Sequence, residues 1–167
     1  PTTTYIDEGS IKIGGWTINN STPEKNGEQN MIQVLEKSLN TGVVFVQQKV
    51  GKKDFYDYLK NFGLDQITGI EVSGESLGNL SNLETKIDVN YATVSYGQGI
   101  SVTPIEILTA ISSFANEGKL MKPHIVEEFI RSDGSSEKVE PVVVRQVVSA
   151  KTANLISAMM VSVIENG

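Results

Sequence analysis

A chain of 167 residues with 39% apolar content suits one domain with a real core, and its 15 glycines and 5 prolines form neither a low-complexity tract nor a repeat. A net charge of −6 and an isoelectric point near 4.8 argue against a polyanion partner, because neutralising phosphates takes clustered Lys and Arg, so nucleic acid is not expected as a ligand. With no cysteine there are no disulfides or thiolate metal sites, the single His124 cannot build a multi-histidine site, and no metal or cofactor is expected.

The opening segments Tyr5-Ile6-Asp7, Ser10-Ile11-Lys12-Ile13 and Trp16-Thr17-Ile18-Asn19 alternate apolar and polar residues between glycine and asparagine breaks, which predicts short strands. Ser21 to Gly27 reads as a polar loop. Helical spacing follows, with Met31, Ile32 and Leu35 on one face up to Ser38. After Asn40 it resumes through Val43, Val44, Val46, Gln47 and Val50 to a capping Gly51. Asp54 to Phe62 predicts another helix, ended by Gly63. The stretch from Gly69 to Tyr91 lacks sustained periodicity and is expected to be irregular.

Thr103-Pro104-Ile105-Glu106 carries a helix start: a Thr cap, Pro at the first helical position, and Glu placed to return a bond to the cap. Ile107, Leu108, Ile111, Phe114 and Ala115 are expected to face inward, and the helix to stop at Gly118. Residues 124–131 and 140–148 flank Asp133-Gly134, a hairpin turn signal, and Ser149 is expected to cap a last helix carrying Leu155, Ile156, Met159, Met160 and Val163 on its apolar face. The result is an α+β chain with short strands and a helical region over 1–120, a β-hairpin over 121–148 and a helix over 149–167. No apolar run approaches a membrane span, and residues 1–4 lack the features of a signal peptide, so any export or anchoring signal is expected outside this chain.

Acyl transfer by a serine needs a nucleophile, a nearby base, a proton donor for the leaving group and donors for the oxyanion. With one histidine and no cysteine, serine chemistry here would need a lysine as base. Ser38-Leu39-Asn40 sits at a break between two helical patterns, where side chains can project into a cleft. A Ser and an Asn there serve equally as local caps, and spacing alone favours that reading. Gly97-Gln98-Gly99 lacks the later glycine of a dinucleotide fingerprint, and close backbone packing is its plain reading. The sequons Asn19-Asn20-Ser21, Asn20-Ser21-Thr22 and Asn79-Leu80-Ser81 matter only where secreted proteins are glycosylated.

Several segments together resemble the transpeptidase domain of class B penicillin-binding proteins, the enzymes that cross-link peptidoglycan. They are Gly14-Gly15-Trp16-Thr17-Ile18-Asn19, Ser38-Leu39-Asn40-Thr41-Gly42, Phe62-Gly63-Leu64, Thr68-Gly69-Ile70-Glu71, Ser95-Tyr96-Gly97-Gln98-Gly99-Ile100-Ser101-Val102-Thr103-Pro104 and Ala115-Asn116-Glu117-Gly118. The stretch from Tyr96 to Pro104 is the most specific. Penicillin-recognising enzymes use three elements, Ser-x-x-Lys, Ser-x-Asn and Lys-Thr-Gly or Lys-Ser-Gly.

Ser38-Leu39-Asn40 supplies the middle element. Ser135-Ser136-Glu137-Lys138 matches the first in letters but follows Ser38 and lies beside a turn. Lys151-Thr152-Ala153 has Ala where the third requires Gly and lies in a helix start. The resemblance therefore implies the middle of a β-lactamase-like transpeptidase fold, with the nucleophile and base outside this chain, so that the fragment alone is expected to be inactive.

It further implies that Ser38 relays a proton, Asn40 hydrogen-bonds the donor peptide's amide and Gln98 lines the cleft rim. Peptidoglycan stem peptides, β-lactams and cell-wall synthesis proteins would be the partners, and an extracytoplasmic, membrane-anchored parent the setting. A non-catalytic cell-wall scaffold of the same fold, or a β-lactamase or β-lactam sensor, are the alternatives. A central sheet left incomplete would also strip cover from the apolar residues of the helices at 105–115 and 150–165.

Overall fold

A computed structural model describes residues 1–167, which fall into two compact units, each discontinuous in sequence. The first comprises residues 1–58, 80–101 and 155–167. Strand β1 (Thr4–Asp7) pairs antiparallel with β4 (Gly27–Asn30), and β2 (Ser10–Ile13) with β3 (Trp16–Asn19). Gly14 and Gly15, at φ 54° and 88°, close the β2–β3 hairpin in the two-residue turn whose left-handed residues match strand twist. The inward residues Ile13 and Ile18 meet Val44 and Ala92 in a buried cluster, with Ile11, Val89 and Tyr96 packed around it.

Helix α1 (Met31–Glu36) starts from a capping box in which the Asn30 side chain accepts from Gln33 N–H and the Gln33 side chain accepts from Asn30 N–H. Helix α2 (Asn40–Val50) ends at Gly51 as expected. Helix α3 (Lys52–Asn61) begins two residues before the expected Asp54. Within the stretch expected to be irregular, Ser81–Leu83 forms a single 3-10 turn and Asp88 opens helix α4 (Asp88–Ser95). Tyr91, Ala92 and Val94 of α4 are buried, and α4 packs on α2. Apolar residues distributed around α4 mask its helical period, which is why periodicity missed it.

The second unit comprises residues 59–79 and 102–154. Helix α5 (Pro104–Ala115) has the expected capping box: the Thr103 hydroxyl accepts from Glu106 N–H, and the Glu106 carboxylate accepts from Thr103 N–H at 2.7 Å. Its inward face, however, is Glu106, Ala110 and Ser113. Ile107, Leu108 and Ile111, expected inside, are 38%, 62% and 48% exposed, and Ala115 is exposed as well, while Phe114 stacks at a tilt on Phe62 with centroids 5.3 Å apart. The buried row is the one carrying Glu106, whose second oxygen accepts from Gly78 N–H at 2.9 Å, so a polar tether sets which side of α5 turns inward.

Strand β5 (Lys119–Met121) pairs antiparallel with β8 (Val143–Gln146), with an irregularity between Leu120 and Met121. The hairpin around Asp133-Gly134 is present, with β6 (Glu128–Ile130) and β7 (Ser136–Lys138) as its arms. Its second arm is thus the segment directly after the turn, not 140–148. Gly134 N–H bonds Arg131 C=O and Arg131 N–H bonds Ser135 C=O, and counting outward from there brings Ser136 opposite Ile130. Pro141 then separates the hairpin from β8.

Helix α6 (Ala150–Asn166) opens with the Ser149 hydroxyl accepting from Thr152 N–H, the expected cap. Met159 is buried and Ile156 and Val163 are half-buried, but Leu155, Met160, Val161 and Ile164 are exposed. Both α5 and α6 thus present the apolar residues whose cover the sequence left in question.

Candidate active site

Helix α1 ends in a Schellman arrangement: Leu39 N–H reaches Val34 C=O at 3.0 Å and Ser38 N–H reaches Leu35 C=O at 3.1 Å. That motif puts the residue after the C-cap in the left-handed region, ordinarily glycine's place. Here the residue is Ser38, at φ 52°. Its side chain is exposed and caps neither helix, since the N-cap of α2 is Leu39 and no side chain of that residue accepts a bond. The capping explanation of Ser38 therefore has no geometry behind it. Leu39 is buried and pins the turn into the first unit, while Ser38 and Asn40 flank it.

Asn40 opens α2 and donates its side-chain N–H to Asn19 C=O at 2.9 Å, leaving its carboxamide oxygen without a bond in the chain. Next to it, Thr41 enters a buried polar cluster that periodicity did not single out. The Thr41 hydroxyl donates to Asp7 Oδ1 at 2.6 Å, and Thr41 N–H donates to Asn20 Oδ1 at 3.1 Å. Asn20 Nδ2 donates to both Asp7 oxygens, and Asn26 donates to Asp7 Oδ2 through its side chain at 2.6 Å and its backbone at 3.2 Å. Asp7 is 1% exposed. Burial alone pushes its carboxyl pKa up, but the donors Thr41, Asn26 and Asn20 together outweigh that and hold it at about 2. The signal available in the sequence was register: Asp7 continues the alternation of Tyr5 onto the inner face of β1, where an apolar residue is the norm.

Gln98 lies just past α4, between Gly97 and Gly99 at φ 84° and 81°. Gln98 N–H bonds Thr93 C=O at 3.0 Å and Asn82 Nδ2 holds Gly99 C=O at 3.1 Å, so the loop is anchored on both sides while the Gln98 side chain stays exposed. Asn82 C=O in turn accepts from Asn90 on α4. Ser38, Asn40 and Gln98 all belong to the first unit, on segments attached to the packed pair α2 and α4, and no hydrogen bond joins Gln98 to the other two. Ser135 to Lys138 lies exposed in the β6–β7 hairpin, and Lys151 to Ala153 lies in the first turn of α6, so neither has the setting of a missing element. No group of three or more His, Cys, Asp or Glu is arranged to hold a metal ion.

The profile of the family described as "Penicillin binding protein transpeptidase domain" matches residues 1–167. Stage V sporulation protein D of Bacillus subtilis is 34% identical over 165 residues, covering 98% of this chain and 26% of its own. Penicillin-binding protein PbpB of Mycobacterium tuberculosis is 33% identical over 158 residues, covering 94% and 23%. The crystal structure of penicillin-binding protein 3 from Mycobacterium tuberculosis in complex with aztreonam superposes with a TM-score of 0.86 at 30% identity, over 97% of this chain and 36% of that one. The chain thus spans about a quarter of the length of the curated relatives it matches.

Proposed function

The chain belongs to the penicillin-binding protein transpeptidase domain family, and from that premise we propose that the whole protein cross-links peptidoglycan by D,D-transpeptidation, with Ser38 and Asn40 as the middle element of its acyl-transfer site. A serine outside these residues is acylated by a D-Ala-D-Ala stem peptide, and the acyl group then passes to the amine of a neighbouring stem. Ser38 relays a proton between the lysine base and the leaving amine, Asn40 hydrogen-bonds the donor peptide's amide, and Gln98 lines the cleft rim. β-Lactams acylate the same serine. The reaction takes place outside the cytoplasm, with the protein anchored by a segment other than this one, and cell-wall synthesis proteins are its partners. Further chain covers the exposed apolar residues of α5 and α6.

The observation that carries this reading is Ser38: a serine held in a backbone conformation that suits glycine, with its hydroxyl committed to no bond in the fold. Residues kept in such conformations cluster where the side chain itself is needed. In the full-length protein, Ser38→Ala and Asn40→Ala are each expected to slow acylation by a fluorescent penicillin without unfolding the domain. Acylation at the wild-type rate in both variants would remove them from the site. The 167-residue chain alone is expected to form no acyl adduct, and a stable adduct by intact mass would place the nucleophile within it.

A further inference from the structure

Helix α2 has no cap of its own. Leu39 stands where a Ser, Asp or Asn side chain ordinarily accepts a first-turn N–H, and its side chain has no oxygen to offer. The acceptor arrives from 21 residues earlier: Asn20 Oδ1 takes Thr41 N–H at 3.1 Å. Asn20 cannot turn over, because its Nδ2 already donates to both oxygens of Asp7, and reversing the amide would set its oxygen against a carboxylate. Asp7 also receives the Thr41 hydroxyl directly, and Tyr5, whose hydroxyl lies 3.1 Å from the Thr41 oxygen, completes the chain as donor.

We propose that Asp7 is a positioning residue for the Ser38–Asn40 turn, acting through Asn20 and Thr41 as a remote N-cap of α2; the inference rests on the reading of Ser38 and Asn40 given above. No lysine or arginine forms an ion pair with Asp7. A buried carboxylate held only by neutral donors is favoured beside a helix N-terminus, where the partial positive charge of the first-turn N–H groups meets it. That first turn begins with Asn40. Asn40 and Thr41 are held by consecutive residues, Asn19 C=O and Asn20 Oδ1, so one strand end fixes the azimuth of α2 and its first side chain together. Asp7 sets the direction of Asn20, and with it the residue that follows Asn40.

The test uses the full-length protein and a fluorescent penicillin, with the acylation rate constant and the dissociation constant separated by saturation, and folding followed by thermal melts. Asp7→Asn turns an NH2 toward Asn20 and either the two donors of Asn26 or the donors Gly9 N–H and Thr41, according to which oxygen is replaced. It is expected to slow acylation by about tenfold to a hundredfold, the scale on which misplacing a reacting group acts. Exchanging the pair in Asp7→Asn/Asn20→Asp restores a carboxylate facing an amide, with an oxygen still available to Thr41 N–H, but leaves the donors of Asn26 or of Gly9 facing the new NH2, so it is expected to recover only part of the rate. A folded Asp7→Asn protein that acylates at the wild-type rate while Asn40→Ala is slow overturns the positioning role alone. If Asn40→Ala is as fast as wild type, the site reading fails and the positioning role fails with it. Should Asp7→Asn not fold, Asn20→Ala decides: it removes the link to Thr41 N–H while Asp7 keeps its bonds to Thr41 and Asn26, and a folded Asn20→Ala protein that acylates at the wild-type rate overturns the proposal.

Discussion

Asn40 donates its side-chain amide to the backbone carbonyl of Asn19 at 2.9 Å, tying the first residue of α2 to the last residue of β3. A carboxamide has two donors and an acceptor with two lone pairs, so one bond fixes the orientation and leaves the rest for a ligand. The short strands thereby hold the start of α2: β3 holds Asn40, and β1 holds Thr41 through Asp7. Rigid elements thus carry the turn, the arrangement the proposed role of Ser38 and Asn40 calls for.

Ser38→Gly separates the strain of that turn from its function. A non-glycine residue in the left-handed region costs roughly 1–2 kcal/mol, and glycine loses about 0.4–1 kcal/mol more to unfolded-state entropy. The variant is therefore expected to gain on the order of 0.5–1 kcal/mol while acylation slows. Ser38→Ala keeps the strain and loses no hydrogen bond, so its stability should stay near wild type. Chemical denaturation of both variants checks the order; a destabilised Ser38→Gly would mean that the hydroxyl carries a structural bond.

Acid exposes the Asp7 cluster. The carboxyl pKa lies at about 2 in the fold, below the ordinary value of 3.8, so the unfolded chain binds the proton first. The contribution is therefore fully present above about pH 4 and is lost as pH falls through about 2. The shift corresponds to about 2 kcal/mol. Denaturant titrations across that window should show stability dropping with pH, and Asp7→Asn should remove that part of the slope.

Helix caps and turns are legible because each is a local contract between a few neighbours: Thr103 with Glu106, Ser149 as a cap and Asp133-Gly134 as a turn can be read in place. The break at Ser38 was legible too. What escaped was set at long range. The true face of α5 follows from the bond between Glu106 and Gly78, 28 residues apart, and β8 found β5 instead of the hairpin arm next to it. The Asp7 cluster joins four segments that no periodicity relates. Sequence alone leaves Ser38 open between cap and catalyst, because what removes the cap reading is a φ angle and an unused hydroxyl.

Gly42 of α2 packs directly against Val34 of α1. A Cβ there would stand 2.6 and 2.7 Å from the two γ carbons of Val34 and 3.0 Å from the Tyr5 hydroxyl. Alanine should gain about 1 kcal/mol in helix propensity, but Val34 is buried, stiff at χ1 and unable to give way, and overpacking costs typically about 1–3 kcal/mol. Gly42→Ala is expected to melt lower and to slow acylation by spreading the helices on either side of Ser38. Adding Val34→Ala should relieve the clash, so the double variant should be less destabilised than the sum of the two; additive melting shifts would rule the contact out.

Glu106 is 1% exposed and uses both oxygens, Oε2 for Thr103 N–H at 2.7 Å and Oε1 for Gly78 N–H at 2.9 Å. One bond starts α5, and the other fastens the end of the 63–79 segment to it. Glu106→Gln keeps the shape but turns an NH2 toward one of two backbone donors, so one N–H must lose its acceptor. Leaving a buried donor unsatisfied costs about 1–3 kcal/mol, and the loss should fall on the weaker partner, since the capping bond is reinforced by the return bond from Glu106 N–H to Thr103 Oγ1. Hydrogen exchange should therefore accelerate at Gly78 before it does in the first turn of α5. Equal acceleration at both places would show that the cap and the tether open as one unit. Glu106→Ala, which loses both bonds, should melt lower than Glu106→Gln.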